Sequence, residues 1–143
     1  MTRREALVTA ALLFALALGV RALAALVVVF PIPEDTAYYV DVTRNLVAGR
    51  GLVADVLWSY QTPPLVFPRP AFEVWLPLPS FLAAGPMFLL GSTFRAAQVI
   101  PVLVGALVPV LAWRLAADVA AERGLTSGRA RTLAIGTGLT CAV

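Results

Sequence analysis

The chain has 143 residues, 60% of them hydrophobic and 13% charged, with a mean hydropathy of +0.88. A soluble domain is roughly half apolar and about a quarter charged. The composition therefore excludes a disordered chain, a collagen-like fibre and a basic nucleic-acid module, and speaks against an ordinary soluble domain. The net charge of +3 arises from eleven Arg, with no Lys, against eight acidic residues. Those arginines are scattered among apolar runs, so orientation in a membrane accounts for them better than binding of nucleic acid. Cys141 is the single cysteine and there is no His. That excludes an internal disulfide, zinc sites, and Cys-His or Ser-His-Asp catalysis. Any proton chemistry has to use carboxylates.

The expectation is an all-α polytopic membrane protein. Ala6 to Phe30 is a 25-residue apolar run broken only by Arg21. As a helix it is about 37 Å long, enough to span a core of about 30 Å with some tilt. Arg3 and Arg4 precede it, which places the N-terminus in the cytoplasm. A secretory signal is the competing reading, with those arginines as its n-region and Ala22-Leu23-Ala24 as a cleavage-like site. Arg21 is a charge inside a span, for which facing other helices or snorkelling is an adequate explanation.

Pro31 and Pro33 end the first span, and residues 31–70 read as a large external loop. Within it, Thr36 to Ala48 reads as a short amphipathic helix on the membrane surface, capped by Asp35 or Thr36 and stopped at Gly49 and Gly51. Tyr39, Val42 and Leu46 share one face of it, with Asp41, Arg44 and Asn45 elsewhere. Leu52 to Tyr60 suggests an irregular strand, and Thr62 to Pro70 an extended Pro-rich stretch. Trp58, Tyr60, Trp75 and Trp113 suit interfacial anchoring.

Residues 71–90 form a short apolar helix interrupted by Pro77, Pro79 and Pro86. Its unbroken apolar part after Glu73 is 17 residues, the lower limit for spanning. Residues 94–113 read as a second span, 114–131 as a charged connector, and 132–143 as the start of a further span. The last segment is 12 residues long, half a crossing, so the expectation is the front part of a longer polytopic protein. If residues 71–90 cross the membrane, Arg114, Arg123, Arg129 and Arg131 fall outside, against the positive-inside tendency. A non-spanning 71–90 is therefore preferred.

Residues 31–73 hold five of the eight acidic residues, Glu34, Asp35, Asp41, Asp55 and Glu73, against Arg44, Arg50 and Arg69. Glu34 and Asp35 follow the first span at headgroup depth, where a carboxylate can act as a general base toward a hydroxyl or amine. They equally suit the first turn of a helix, with no chemistry required. Arg44 can pair with Asp41 on a helix face. Gly49-Arg50-Gly51 is too short for a phosphate-binding loop.

The order of residues in PIPEDTAYYVDVTRNLVAGRGL, and then from Arg69-Pro70 through Gly91-Ser92 to Arg95, resembles the N-terminal part of C-type (GT-C) membrane glycosyltransferases. This is the group of protein mannosyltransferases and aminoarabinose transferases. The shared features are an acidic pair (Glu34-Asp35), a Tyr-rich amphipathic helix (Tyr38-Tyr39) ending in Arg44-Asn45-Leu46 with Gly49 and Gly51, a basic-Pro element, and a Gly-Ser turn before Arg95. The resemblance covers essentially the whole chain. It implies the first helices of a GT-C-type bundle, and transfer of a sugar from a polyprenyl-phosphate-sugar lipid to a lipid, glycan or protein acceptor on the external face of the plasma (inner) membrane.

The roles it implies are a catalytic base or acceptor-orienting carboxylate at Asp35 or Glu34, donor-phosphate contacts from Arg69 and then Arg44, and substrate contacts from Tyr38, Tyr39 and Glu73. Many relatives have Asp first in the acidic pair. Here Glu34 comes first, and Asp35 is preferred as the base. Some relatives carry an Arg shortly after the pair, where this chain has Thr36-Ala37. No cofactor is implied; Asp41 and Asp55 are the carboxylates a divalent metal would use. The alternatives are a non-catalytic membrane protein, such as a transporter portion or assembly subunit, and an inactive truncated fragment.

Overall fold

The computed structural model describes residues 2–32, 34–57, 63 and 66–142. Among these the chain is all-helical apart from one two-residue ladder, in the order α1 (Arg3–Val27), α2 (Glu34–Val47), β1 (Val53–Ala54), β2 (Arg69–Pro70), α3 (Leu78–Leu90), α4 (Phe94–Glu122) and α5 (Ser127–Ala142). Two helices, α1 and α4, are long and apolar enough to cross a membrane. The chain divides into two compact units, one of residues up to Val27 with Pro101–Val143 and one of Val28–Ile100.

The first unit contains α1, α5 and most of α4. Helix α1 starts three residues before the apolar run because Thr2 and Glu5 form a capping box. The Glu5 N–H donates to Thr2 Oγ1 (3.2 Å) and the Thr2 N–H to Glu5 Oε2 (2.9 Å). It stops at Val27 rather than Phe30, ahead of three exposed residues and Pro31. Helix α4 continues through Pro101 and Pro109 and nine residues beyond the expected end of the span. The reason is local. Ala116, Ala117, Ala120 and Ala121 are strong helix formers, and Arg114 pairs with Asp118 one turn on (3.1 Å). The helix ends in a Schellman turn at Gly124 (φ +66°), with Gly124 N–H on Ala121 O and Leu125 N–H on Ala120 O. Most of the expected connector is thus helical, and α5 begins at Ser127.

Packing levels define the directions of these three helices. Leu13, Trp113 and Ala134 meet at one level, and Ala17, Ala106 and Ala142 at the next. Helices α1 and α5 therefore run in the same direction and α4 runs against both. Gly138 makes the close approach possible: a Cβ there would lie 2.8 Å from Leu13 Cδ1, 3.0 Å from Trp113 Cβ and 3.2 Å from Pro109 O. Trp113 is therefore buried between helices rather than placed as an interfacial anchor. Arg21 faces its neighbours: it passes over Gly105 and donates to the carbonyls of Ala142 (3.2 Å), Cys141 (3.3 Å) and its own Ala17 (3.4 Å).

The second unit is built around α2, which is its centre rather than a free surface helix. One side of α2 packs Val40 against Ala83 and Met87 of α3 and Ala96 and Ala97 of α4. Another packs Tyr38 and Val42 against Ala54, Phe72 and Trp75. The expected strand over 52–60 reduces to Val53–Ala54, paired antiparallel with Arg69–Pro70; Trp58 and Tyr60 lie outside the described residues. The expected helix over 71–90 begins only at Leu78, because Phe72 has φ +66° and Pro77 and Pro79 sit at the helix start. At 13 residues α3 is about 20 Å long. Gln98 Nε2 donates to Val28 O (3.1 Å) and ties the start of α4 to the segment after α1.

Gly138→Leu should lower the thermal midpoint of the purified protein by an amount equivalent to about 1–3 kcal/mol, the usual range for overpacking. Gly136→Ala, where an added Cβ meets nothing within 4 Å, should leave it unchanged or raise it slightly.

Candidate functional site

The site lies in the second unit, where α2 meets the β1–β2 ladder and the turn that follows it. Helix α2 carries the acidic pair in its first turn. Asp35 is half-buried and Glu34 is exposed. Neither carboxylate has a side-chain hydrogen bond or ion pair among the described residues. Because α2 starts at Glu34, Asp35 lies inside the helix rather than capping it. At helical spacing it shares a face with Tyr38, Tyr39 and Val42, which is the face turned to the ladder.

Tyr38 is buried. Its hydroxyl accepts the Phe72 N–H at 2.6 Å, and its ring stands edge-on to Tyr39 (5.6 Å) and Phe72 (6.5 Å). Burial raises its phenol above the usual value. The bond to Tyr38, with Phe81 against the Phe72 ring at 6.1 Å, holds Phe72 in a left-handed conformation that bulky residues rarely adopt. That turn brings Glu73 back over Arg69. The Arg69 Nε and Nη2 both donate to Glu73 Oε2, at 3.2 and 2.7 Å. The Arg69 side chain is only 8% exposed, whereas that of Glu73 is 39% exposed. A buried guanidinium needs a counter-ion, and here the counter-ion reaches solvent.

The structure thus brings Tyr38, Tyr39, Arg69 and Glu73 into one corner, with Asp35 and Glu34 one turn earlier on α2. It does not bring Arg44 there. Arg44 is exposed, and its Nε donates to the Ser92 carbonyl (3.2 Å). The expected helix-face pair with Asp41 is not formed.

Asp41 instead accepts the Asp55 N–H (2.7 Å), and Asp55 pairs with Arg50 (2.9 Å). Both carboxylates are engaged within the protein, and no group of three or more His, Cys, Asp or Glu able to hold a metal ion occurs among the described residues. Burial, reinforced by the Asp55 carboxylate and opposed by the Asp55 N–H, raises the Asp41 carboxyl above the ordinary range.

The helical pattern sets Asn45 apart from the face of Tyr39, Val42 and Leu46, yet it is fully buried. Its Nδ2 donates to Val53 O (2.9 Å) and its Oδ1 accepts from Arg50 Nη2. Its own carbonyl accepts the Arg50 N–H in the Schellman turn that ends α2 at Gly49 (φ +76°). Asn-x-x-x-Gly is the signal that could have identified this staple. Thr43 and Ser80 were also missed. The hydroxyls of both donate to the carbonyl of Tyr39, at 2.6 and 3.2 Å, and Thr43 Oγ1 also lies 3.2 Å from Ser80 O.

No family model matches the chain, and no curated protein or solved structure matches it.

The raised Asp41 carboxyl has a definite sign. The folded state holds this proton more tightly than the unfolded state. The contribution is therefore present at low pH and is lost as pH rises from the ordinary carboxylate value through the raised one. Thermal midpoints across the acid range should show that loss in the wild type, and Asp41→Asn should flatten it while preserving an acceptor for the Asp55 N–H.

Proposed function

We propose that the chain is the N-terminal membrane module of a glycosyltransferase of the C type, which moves a sugar from a polyprenyl-phosphate-linked donor to an acceptor on the external face of the plasma (inner) membrane. The observation that supports it most is the corner itself: a buried arginine under a half-exposed carboxylate, one helical turn from two unpartnered carboxylates. It falls in the segment that joins two helices able to cross a membrane.

In this reading Asp35, or Glu34, takes the proton from the acceptor hydroxyl as that oxygen attacks the sugar carbon. The bond from that carbon to the phosphate oxygen breaks, and the leaving lipid phosphate gains one negative charge. Arg69 is shaped to stabilise that charge, with Glu73 giving way. Tyr38 and Tyr39 offer rings to the substrate. Arg44, bound to a carbonyl and apart from this corner, is a weaker phosphate contact than Arg69.

The orientation follows from direction. If α1 runs outward from a cytoplasmic N-terminus, antiparallel α4 returns to the cytoplasm. Residues 28–93 then begin and end on the external side, and α3, at 13 residues, is shorter than a helix that spans alone. The arginines of residues 114–131 fall in the cytoplasm, as the positive-inside tendency prefers.

A second reading, a non-catalytic membrane protein, is favoured by one observation. Asn45, Asp41, Arg50 and Asp55 are all committed to holding the loop together.

Transfer measured in membranes that contain the protein separates the two. Asp35→Asn should lower the rate at least about 100-fold, the usual scale for losing a general base, with insertion and folding intact. Arg69→Gln should weaken use of the lipid donor. Full activity in both Asp35→Asn and Glu34→Gln would overturn the base assignment.

A further inference from the structure

The packing levels of the first unit place five arginines at one end of it. From the level of Ala17, Ala106 and Ala142 to that of Leu13, Trp113 and Ala134, numbering falls along α1 and α5 and rises along α4. Continuing in that direction leads to Arg3 and Arg4 on α1, to Arg123 just past α4, and to Arg131 and Arg129 on α5. A cleft of about 410 Å³ lined by Glu5, Trp113, Ala117, Ser127 and Arg131 shows these ends side by side.

All five arginines are exposed, and none has an ion pair among the described residues. Three carboxylates share this end: Asp118 pairs with Arg114, while Glu5, hydrogen-bonded to Thr2 and in the field of Arg131, and Glu122 offset part of the positive charge. Five arginines against these two carboxylates leave an excess of positive charge that attracts anions.

The same stretches also expose apolar side chains. Leu7, Val8, Leu115 and Leu133 are 64%, 51%, 66% and 50% exposed. A surface that mixes guanidinium groups with aliphatic side chains suits a phospholipid, with phosphate for the first and acyl chain for the second. Soluble polyanions would use only the charges. We infer that this end of the unit binds anionic phospholipid headgroups of the adjoining leaflet, with Arg123, Arg129 and Arg131 as principal contacts. The inference rests on the membrane reading above, but not on catalysis.

The test uses the protein purified in detergent with equal amounts of phosphatidylglycerol and phosphatidylcholine, counting retained lipids by native mass spectrometry. Phosphatidylglycerol should be retained over phosphatidylcholine by about fivefold or more, and less so as salt rises. The triple variant Arg123→Gln, Arg129→Gln, Arg131→Gln should lose the preference, and the corresponding Lys triple should keep it. Both are checked for unchanged helicity by circular dichroism.

Equal retention of the two lipids, or an unaltered preference in the Gln triple, would overturn the inference. So would displacement of the lipid by inorganic polyphosphate at equal charge, which would assign the surface to soluble anions. A chain that stays monodisperse without detergent would overturn the membrane reading itself, a result distinguishable from loss of lipid preference alone.

Discussion

The hydrogen atom that Gly138 carries in place of a side chain is the constraint on which the first unit depends. Leu13, Trp113 and the Pro109 carbonyl all converge on that position. Helices in an apolar medium gain little from the hydrophobic effect against one another, so close backbone approach and packing supply much of the association. Gly105 acts similarly one level away, where its bare backbone lets the Arg21 side chain cross to the end of α5. Two positions that admit no larger residue without displacement thus set the register of three helices. That register in turn determines which charges share an end.

The second unit answers a different problem, the burial of polar groups. Helix α2 hides Thr43 and Asn45 completely, and α3 hides Ser80. Each is satisfied by a main-chain carbonyl, so a helix with modest apolar content can sit at the centre of a fold. The Arg44-Asn45-Leu46 to Gly49 stretch has an architectural duty: Asn45 clamps the turn after α2 to β1. Among the described carboxylates of this unit, Glu34 and Asp35 have no such duty, and they stand in the first turn of α2.

Uninterrupted apolar length was legible in the sequence: α1, α2 and the start of α4 lie close to where hydropathy and glycine stops place them, and Arg21 faces other helices, one of the two explanations its position allowed. Boundaries governed by short-range chemistry were not. The Thr2–Glu5 box extends α1 backwards, alanines carry α4 through what composition marks as a connector, and Phe72 delays α3. The amphipathic reading of α2 grouped Tyr39 and Val42, which do pack together against the turn after β2, with Leu46, which is not in that cluster. It overlooked Thr43 and Asn45, because a hydropathy pattern assigns polar side chains to solvent and cannot see a carbonyl waiting across the fold. The Arg69–Glu73 pair was within reach of spacing, though the turn at Phe72 that closes it depends on Tyr38, thirty-four residues away.

The length of α3 carries a consequence for any lipid around it. This helix is apolar on nearly every side, with Leu82, Phe88, Leu89 and Leu90 exposed. At about 20 Å it reaches only some two thirds of a hydrocarbon layer of about 30 Å. A helix too short to cross but lying within one leaflet would displace the acyl chains beneath it, and the chains alongside would have to bend to fill the space below. A helix of these dimensions wedged into one leaflet would thin the bilayer locally. The polar heads, and whatever they carry, would then be drawn inward toward the protein.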